Sequence, residues 1–213
     1  MKTWRTMMAD IAVVIAAFFL IPLFLVSGAQ AQKYRTVDGK ELTVTAQEQY
    51  VLEQTEKGEI ADLWERVVLP LIPDQTRREQ IGKLGLAAYV ESLNDEDRKA
   101  FLKEYGKYRY QPNAEITVKF LETLLTQEIT GIKIHRHGVI IRYATIIGPL
   151  DLINAEVPFE VDLRYCNFMG EVHFQKSQFH RNLSLVLCHF NDDANFSQMD
   201  VGKGAYFWGS QFE

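Results

Sequence analysis

The chain has 213 residues, of which 47% are hydrophobic and 24% charged, and its formal net charge is −5 at pH 7. This composition is ordinary for a folded globular protein and excludes wholesale disorder. The mild negative charge argues against a nucleic-acid-binding protein that neutralises phosphates, and two cysteines are too few for a disulfide-stapled fold. We therefore expect a core formed by burial, in one large domain or two small ones.

The N-terminus has the pattern of a secretory signal peptide. Lys2 and Arg5 supply a positive start, an apolar run follows over residues 11–26, and Ala29 and Ala31 have the small-residue spacing of a cleavage site. We predict cleavage after Ala31, which makes the mature protein exported, either periplasmic or secreted. The alternative is an uncleaved signal anchor in the inner membrane, although the apolar run is shorter than a typical span of about 20 residues.

Residues 32–130 are predicted to form a small α-helical domain. Thr45 and Glu48 have the spacing of a capping box, and Gly58 is a natural stop for the helix that they begin. Apolar residues recur at helical spacing in three further stretches, which predict a second helix, a helical hairpin and a last helix. In chain order these residues are Ile60, Leu63, Trp64, Val67 and Val68; Ile81, Leu84, Leu86, Tyr89, Val90 and Leu93, then Phe101, Leu102 and Tyr105; and Ile116, Phe120, Leu121, Leu124 and Leu125.

From Val139 onward the sequence repeats every eleven residues. Positions 1, 3, 6 and 8 stay apolar or small in seven consecutive blocks, and the residues between them are mostly polar. Positions 1 and 3 flank one opposite-facing residue, as do positions 6 and 8, which is the period of two of a β-strand. The third position, for example, holds Ile141, Leu152, Leu163, Phe174, Leu185, Phe196 and Phe207. A chain that turns a corner about every five residues places all four positions inside a narrow coil.

These blocks resemble pentapeptide-repeat proteins, whose unit is a small residue, a polar residue, Leu or Phe, and two polar residues. The segment 194–198 (Ala-Asn-Phe-Ser-Gln) matches the unit, and the core of the unit recurs at 161–163, 172–174, 177–179 and 210–212. The resemblance covers about 75 of the 213 residues. It implies a right-handed quadrilateral β-helix, in which two blocks form one 22-residue coil. The expected fold class is α+β, with a small α-helical N-terminal domain followed by a right-handed parallel β-helix over residues 131–213.

The cysteines and histidines are candidates for metal or disulfide chemistry. Cys166 and Cys188 both occupy position 6, so they would stack in a 22-residue coil, where a disulfide is permitted. Ala144 and Ser210 share that column, so we predict that the cysteines are small buried thiols. The histidines show no register that would form a metal site, and we predict neither a metal nor a cofactor. They are His135, His137, His173, His180 and His189.

Positions 4 and 5 of alternate blocks predict a ridge on the outside of the coils. The residues that we call the ridge are Arg142, Tyr143, Arg164, Tyr165, Val186, Leu187 and Trp208. Arginine together with aromatic and aliphatic side chains is a common interface composition. Two interpretations stay open at this point: the chain's own helices cover the ridge, or a partner protein does.

The expected function is non-catalytic protein interaction or scaffolding at the cell envelope, with an unknown protein as partner and no nucleic acid. Phe212 is the last core position, so either two copies stack end to end, as pentapeptide-repeat proteins can, or the sequence is a piece of a longer one. A role as a DNA mimic would need the cytoplasm and a strongly acidic face, so it is disfavoured.

Two alternatives belong to other classes of protein. One is a membrane-tethered accessory subunit, if the signal segment is retained. The other is an envelope enzyme with its site between the helical domain and the ridge. An enzyme needs a convergent set of titratable residues, and the sequence reveals none, because Asp151 and Asp162 would lie on opposite walls of the coil. No catalytic residue is therefore predicted. Residues 32–130 also contain no Gly-rich phosphate loop, HExxH motif or nucleophile elbow.

Overall fold

A computed structural model describes residues 31–67, 69–105 and 114–213. The predicted signal peptide, with Ala29, lies outside the described residues apart from its last residue, Ala31. Several helices precede a C-terminal parallel β-solenoid of about three turns that spans residues 139–212. The predicted α+β class, with helices followed by a β-helix, is therefore confirmed.

The described part begins with a β-hairpin that the sequence pattern does not predict. Strands β1 (Gln32–Arg35) and β2 (Glu41–Val44) pair antiparallel, and Gly39 adopts a positive φ of 82° in the turn between them. Leu42 and Val44 are buried and their neighbours are exposed, as expected for a strand with one face on the core. Four residues contain only two such alternations, which is too few for a periodic signal.

Helix α1 (Ala46–Lys57) begins and ends where the sequence predicts. The backbone N–H of Thr45 donates to Glu48 Oε2 over 2.7 Å, and the N–H of Glu48 donates to Thr45 Oγ1 over 3.2 Å, so both halves of the capping box are present. Gly58 closes the helix in the left-handed conformation, with φ 74°. A side chain on Gly58 would also collide with the His135 ring, since its Cβ would lie 2.0 Å from His135 Nδ1.

The remaining helices surround a second, smaller core formed by Trp64, Ile72, Ile81, Tyr89 and Phe101. Their bounds are α2 (Leu63–Val67), a 3-10 helix (Leu69–Leu71), α3 (Gln75–Leu84), α4 (Leu86–Ser92) and α5 (Asp95–Tyr105). The last helix, α6 (Val118–Leu125), packs instead in the main core.

Three helix boundaries differ from the sequence prediction. Strands β3 (Ala61–Asp62) and β4 (Glu115–Thr117) replace the predicted starts of the second and last helices. Gly85, with φ 76° and ψ 155°, separates α3 from α4 where one continuous apolar stripe was predicted. Both strands pair with the solenoid, so tertiary hydrogen bonding overrides the helical spacing of their apolar residues.

The solenoid consists of short strands that stack at intervals of 22 residues. Val139 pairs with Val161, and Val161 pairs with Leu183, all in parallel register. The predicted 22-residue coil is thus confirmed. Its strands are β5 (Val139–Arg142), β6 (Thr145–Ile147), β7 (Leu150–Asp151), β8 (Glu156–Val157), β9 (Val161–Arg164), β10 (Asn167–Phe168), β11 (Val172–His173), β12 (Gln178–Phe179), β13 (Leu183–Val186), β14 (His189–Phe190), β15 (Ala194–Asn195), β16 (Asp200–Val201), β17 (Ala205–Tyr206) and β18 (Gln211–Phe212).

The corner of each block is a residue in the left-handed conformation at position 5. These residues have φ between 55° and 70° and are Tyr143, Asn154, Tyr165, Lys176, Leu187, Gln198 and Gly209. Left-handed backbone is costly for a residue with a side chain, and more so for bulky Tyr and Leu. Stacking offsets this cost at the first five corners, from Tyr143 to Leu187, because the corner N–H donates to the next coil there, as Tyr143 N–H does to Arg164 O over 3.0 Å.

The solenoid interior is filled by columns of identical or similar side chains. The rings of Phe168 and Phe190 are stacked with centroids 4.7 Å apart, and Phe190 stacks on Phe212 at 4.6 Å. Cys166 and Cys188 are both buried free thiols, in agreement with the sequence prediction. Burial raises the pKa of the Cys166 thiol, and the neighbouring Cys188 adds to this effect. The Sγ–H of Cys188 donates to Leu163 O over 3.2 Å.

The N-terminal part closes the first coil of the solenoid. β3 pairs with β5 and β4 pairs with β6, so each extends one of the solenoid sheets by a further strand. Phe120 and Leu121 of α6 are fully buried in the same core cluster as the solenoid interior. The core is therefore continuous across the predicted boundary between residues 32–130 and 131–213.

Glu48 joins α1 to the β4–α6 segment inside this cap. Its side chain is fully buried, and Oε1 accepts hydrogen bonds from Thr117 N–H at 2.8 Å and Thr117 Oγ1–H at 2.7 Å. With the bond from Thr45 N–H, the carboxylate accepts three hydrogen bonds. A buried carboxylate is tolerated when donors surround it in this way. Thr117 Oγ1 also accepts from Phe120 N–H and so caps α6.

We predict that Glu48→Ala lowers the free energy of unfolding by about 3 kcal/mol or more, because it leaves buried donors without an acceptor and removes a helix cap. Glu48→Gln should lower the free energy of unfolding by about 1–3 kcal/mol, since the glutamine NH2 group would face a donor where the carboxylate now accepts a hydrogen bond. Urea unfolding followed by circular dichroism measures both. The exposed Glu59→Gln serves as control and should change stability by less than about 0.5 kcal/mol. If Glu48→Gln and Glu59→Gln lowered the free energy of unfolding by the same small amount, the role of Glu48 as a buried acceptor would be contradicted.

Candidate functional site

The ridge residues lie in the columns that the 22-residue period predicts. Arg142 is in register with Arg164, and Arg164 with Val186. The rings of Tyr143 and Tyr165 stack with centroids 4.7 Å apart and planes at 6°. The ridge therefore exists as a continuous strip of side chains along the outside of the solenoid.

The last two corners of the ridge are in close contact. Leu187 N–H donates to Trp208 O over 2.9 Å, which stacks the final coil on the one before it. Gly209 takes the left-handed corner position with φ 70°, and a Cβ there would lie 2.6 Å from Leu187 Cδ2. Glycine at this corner thus leaves room for the Leu187 side chain beneath it.

The helices cover the first half of the ridge. Tyr143 packs against the smaller helical core, together with Leu86 and Val90 of α4. A cavity of about 290 Å³, which we call the cleft, remains between the helices and the solenoid. Its lining residues are Asp62, Glu65, Leu84, Gly85, Leu86, Ala88, Arg142, Tyr143, Arg164 and Tyr165. Four of the seven ridge residues therefore face this intramolecular cleft.

Asp62 extends the ridge column by one strand toward the N-terminus. It is in register with Arg142 in the β3–β5 pair, so both side chains lie on the same outer face. Asp62 Oδ1 also accepts a hydrogen bond from Glu65 N–H over 2.9 Å and caps the first turn of α2. The pKa of Asp62 is raised to about 6, mainly by burial and also by the Glu65 carboxylate, while the hydrogen bond from Glu65 N–H and the Arg142 charge act in the opposite direction.

Glu65 and the two arginines complete the charged lining of the cleft. Burial raises the pKa of Glu65, and the charge of Arg142 partly opposes the shift. Arg164 Nε donates to Asp162 Oδ1 over 2.7 Å, and this bond raises the pKa of Arg164. In the part of the chain that the structure describes, the buried Nε of Arg142 has no hydrogen-bond acceptor.

The second half of the ridge lies beyond the helices and borders a lateral groove of about 460 Å³. Tyr206 is 53% exposed and Trp208 is 74% exposed on its rim. The residues that line this groove are Glu160, Asp162, Arg164, Asn182, Ser184, Val186, Tyr206 and Trp208. The groove lies on the side of the solenoid.

Each of the three histidines in the solenoid contacts a different glutamate. His173 contacts Glu171, His180 contacts Glu156 and His189 contacts Glu213, each over 2.9 Å. His135 and His137 meet edge to face before the first coil. Within residues 31–67, 69–105 and 114–213, no group of three or more His, Cys, Asp or Glu side chains is placed to hold a metal ion. None of the helices in these ranges is long and apolar enough to cross a membrane.

Asp62 and Glu65 are the cleft residues that sequence reasoning missed. Their partner Arg142 lies about 80 residues further along the chain, and no local pattern connects the two segments. One local signal was available, because Asp62 and Glu65 have the spacing of a helix-capping pair at the true start of α2. That signal would have placed the helix start but not the charge cluster.

Comparisons with known proteins do not narrow the function, since no protein-family model, curated protein or solved structure matches the chain. The fold and the site define its class. The protein consists of a helical segment that caps a parallel β-solenoid, with a charged cleft between the two and an aromatic groove on the solenoid side.

We predict that Asp62 makes stability depend on pH in a window from about 4 to about 6. Its folded-state pKa of about 6 lies above the ordinary aspartate pKa of 3.8, so the folded protein binds the proton more tightly. This contribution is present below pH 4 and is lost as pH rises through 6, by no more than about 3 kcal/mol.

The Asp62→Asn variant, which can still cap α2, should lose this dependence and should be at least as stable as wild type at pH 8. Urea unfolding from pH 4 to pH 8 gives the comparison. Asp200→Asn removes an exposed carboxylate of the solenoid and should keep the wild-type profile. Parallel profiles for wild type and Asp62→Asn would show that Asp62 does not carry the effect.

Proposed function

We propose that the protein is a non-catalytic interaction or scaffolding protein of the bacterial cell envelope, built on a right-handed pentapeptide-repeat β-helix. Three features support this family assignment: the 22-residue coils, the parallel in-register strands, and the left-handed corner at position 5 of each eleven-residue block. Solenoids commonly serve as extended binding surfaces, because stacking produces long regular faces. The predicted signal peptide supports the location at the envelope.

The single observation that carries the interaction role is the lateral groove. Trp208 and Tyr206 expose large aromatic surface there, beside the Asp162–Arg164 ion pair. Trp, Tyr and Arg are the residue types enriched at energetic centres of protein interfaces. Aromatic side chains of this kind also lose little conformational entropy when they become buried. A protein partner is the occupant that this composition fits best.

The groove also constrains the partner's chemistry. Val186 forms an apolar floor between Trp208 and the aliphatic stem of Arg164, and Ser184 lies in register with Asp162 and Tyr206. We expect the partner to insert an apolar side chain over Val186 and to place a hydrogen-bonding group near Asp162. A stable interface needs about 800 Å² per partner, so contacts must extend beyond the groove along the solenoid side.

The double variant Tyr206→Ser/Trp208→Ser should lose at least about tenfold in affinity for the envelope partner, because both aromatic anchors are removed. In-cell cross-linking followed by mass spectrometry compares recovery of each partner between wild type and variant. Ile153→Ser/Met169→Ser is a matched control, since those side chains are 43% and 48% exposed outside the groove. Equal loss in both double variants, or no loss in the first, would contradict the groove as the interface. Circular dichroism verifies that each variant is folded.

Export predicts that the mature protein begins at Gln32. Expression of the full chain in a bacterium with a Sec pathway, followed by intact-mass measurement, should give a product that lacks residues 1–31. Ala29→Arg/Ala31→Arg should block processing, since both small residues of the cleavage site are replaced. A product that retains residues 1–31 in membrane fractions would favour the membrane-tethered accessory subunit over the soluble envelope protein.

A further inference from the structure

The cleft is a defined cavity that the interaction role does not use. Its volume of about 290 Å³ is that of roughly ten waters in the liquid, which is enough for a small organic molecule. The solenoid forms one wall through Arg142, Arg164 and the stacked tyrosines, and the α3–α4 junction around Gly85 forms the other. Both walls are held by tertiary packing, since Tyr143 packs on the smaller helical core.

One wall of the cleft is basic. Arg142 and Arg164 both line it, although the Arg142 Nε itself is buried and not open to the cleft. Arg164 lies one strand away in the same column, and Asp162 holds its Nε. A guanidinium presents its N–H groups in a planar fork that matches the two oxygens of a carboxylate. A carboxylate is therefore the anion that this wall fits best.

The carboxylates of the cleft need the opposite charge. Asp62 and Glu65 lie near Arg142, and burial raises the pKa of each because it disfavours the ionised form. The lining itself holds two carboxylates and two guanidinium groups. Asp162 bonds to Arg164 from outside the lining, so these five groups together carry a net charge of −1 when all are ionised. A cationic group placed beside Asp62 and Glu65 would stabilise their ionised forms.

The rest of the lining suits an aliphatic stem between the two charged ends. Leu84 and Leu86 flank Gly85 at the helix junction, and the paired rings of Tyr143 and Tyr165 form a flat surface on the solenoid side. Tyrosine rings also attract an ammonium group placed over their faces. The cleft thus combines an anion-binding group, cation-binding groups and an apolar wall within one cavity.

From this arrangement we infer that the cleft binds a small zwitterion of the amino-acid type, with its carboxylate on Arg142 and an ammonium group beside Asp62 and Glu65. A basic amino acid such as L-lysine is the best match, because its net charge of about +1 neutralises the site. The inference does not rest on the lateral groove, since Tyr206 and Trp208 do not line the cleft.

Isothermal titration of the full processed chain with L-lysine tests the inference at pH 7.5. Acetate and n-butylamine each carry only one of the two charged groups, and we expect each to bind at least about tenfold more weakly than L-lysine. Arg142→Gln should weaken L-lysine binding at least about tenfold, and Asp62→Asn should weaken L-lysine and n-butylamine but not acetate. Arg181→Gln and Asp200→Asn replace exposed charges outside the cleft and should leave binding unchanged.

Several outcomes would overturn the inference. If the folded protein is not saturated by L-lysine at concentrations up to about 50 mM, the cleft does not bind this class of ligand. Equal affinity for L-lysine and acetate would exclude the zwitterion, and unchanged affinity in Arg142→Gln would exclude this site. If Arg142→Gln does not fold, Arg142→Lys keeps the charge without the planar fork and should weaken L-lysine binding at least about threefold; unchanged affinity there would also overturn the site.

The experiments distinguish a cleft that does not bind the zwitterion from a groove that does not bind a protein partner. Tyr206→Ser/Trp208→Ser should bind L-lysine with wild-type affinity whether or not it loses the envelope partner, because those side chains lie outside the cleft. Loss of L-lysine binding in this folded variant would contradict the placement of the ligand.

Discussion

The pairing of each residue with the residue 22 positions later is the constraint on which the rest of the structure depends. The strands of the solenoid are only two to four residues long, so each makes few hydrogen bonds. The coil is stable because the sheets on all of its sides extend in the same register. The register also fixes the corners. Tyr143, Tyr165 and Leu187 accept a left-handed backbone because each corner N–H bonds to the coil above it. One spacing therefore determines the backbone geometry, the interior columns and the outer ridge together.

A stack of coils leaves unpaired backbone groups at its first strands, and the N-terminal segment covers them here. β3 and β4 pair with the first coil, and α6 places Phe120 and Leu121 over its interior. Glu48 holds this cap in place, since its carboxylate is bonded to both Thr45 and Thr117. The helices are thus part of the solenoid's stability, and the same contacts bring Asp62 beside Arg142. The charged cleft is a consequence of how the first coil is closed.

The ridge has two different environments along one column. Near the cap, Arg142 and Tyr143 lie against helices, where desolvation strengthens electrostatic interactions and raises the pKa of Asp62. Further along, Val186 and Trp208 face a groove on the solenoid side, where apolar surface is available to a partner. The chain's own helices therefore cover the first half of the ridge, and a partner protein on the second half is our proposal. A small ligand in the cleft and a protein on the groove are compatible, because the two sites share only Arg164.

The sequence by itself determined the α1 helix, the 22-residue coil, the columns of the ridge and the buried state of Cys166 and Cys188. Each of these follows from local capping chemistry or from a repeat, and a repeat shows its register in the one-dimensional pattern. Only the tertiary structure decided that residues 61–62 and 115–117 are strands, that Gly85 divides a helix, and that Asp62 and Glu65 meet Arg142. Those features arise from contacts between segments far apart in the chain, where burial and cross-strand hydrogen bonding outweigh local propensity.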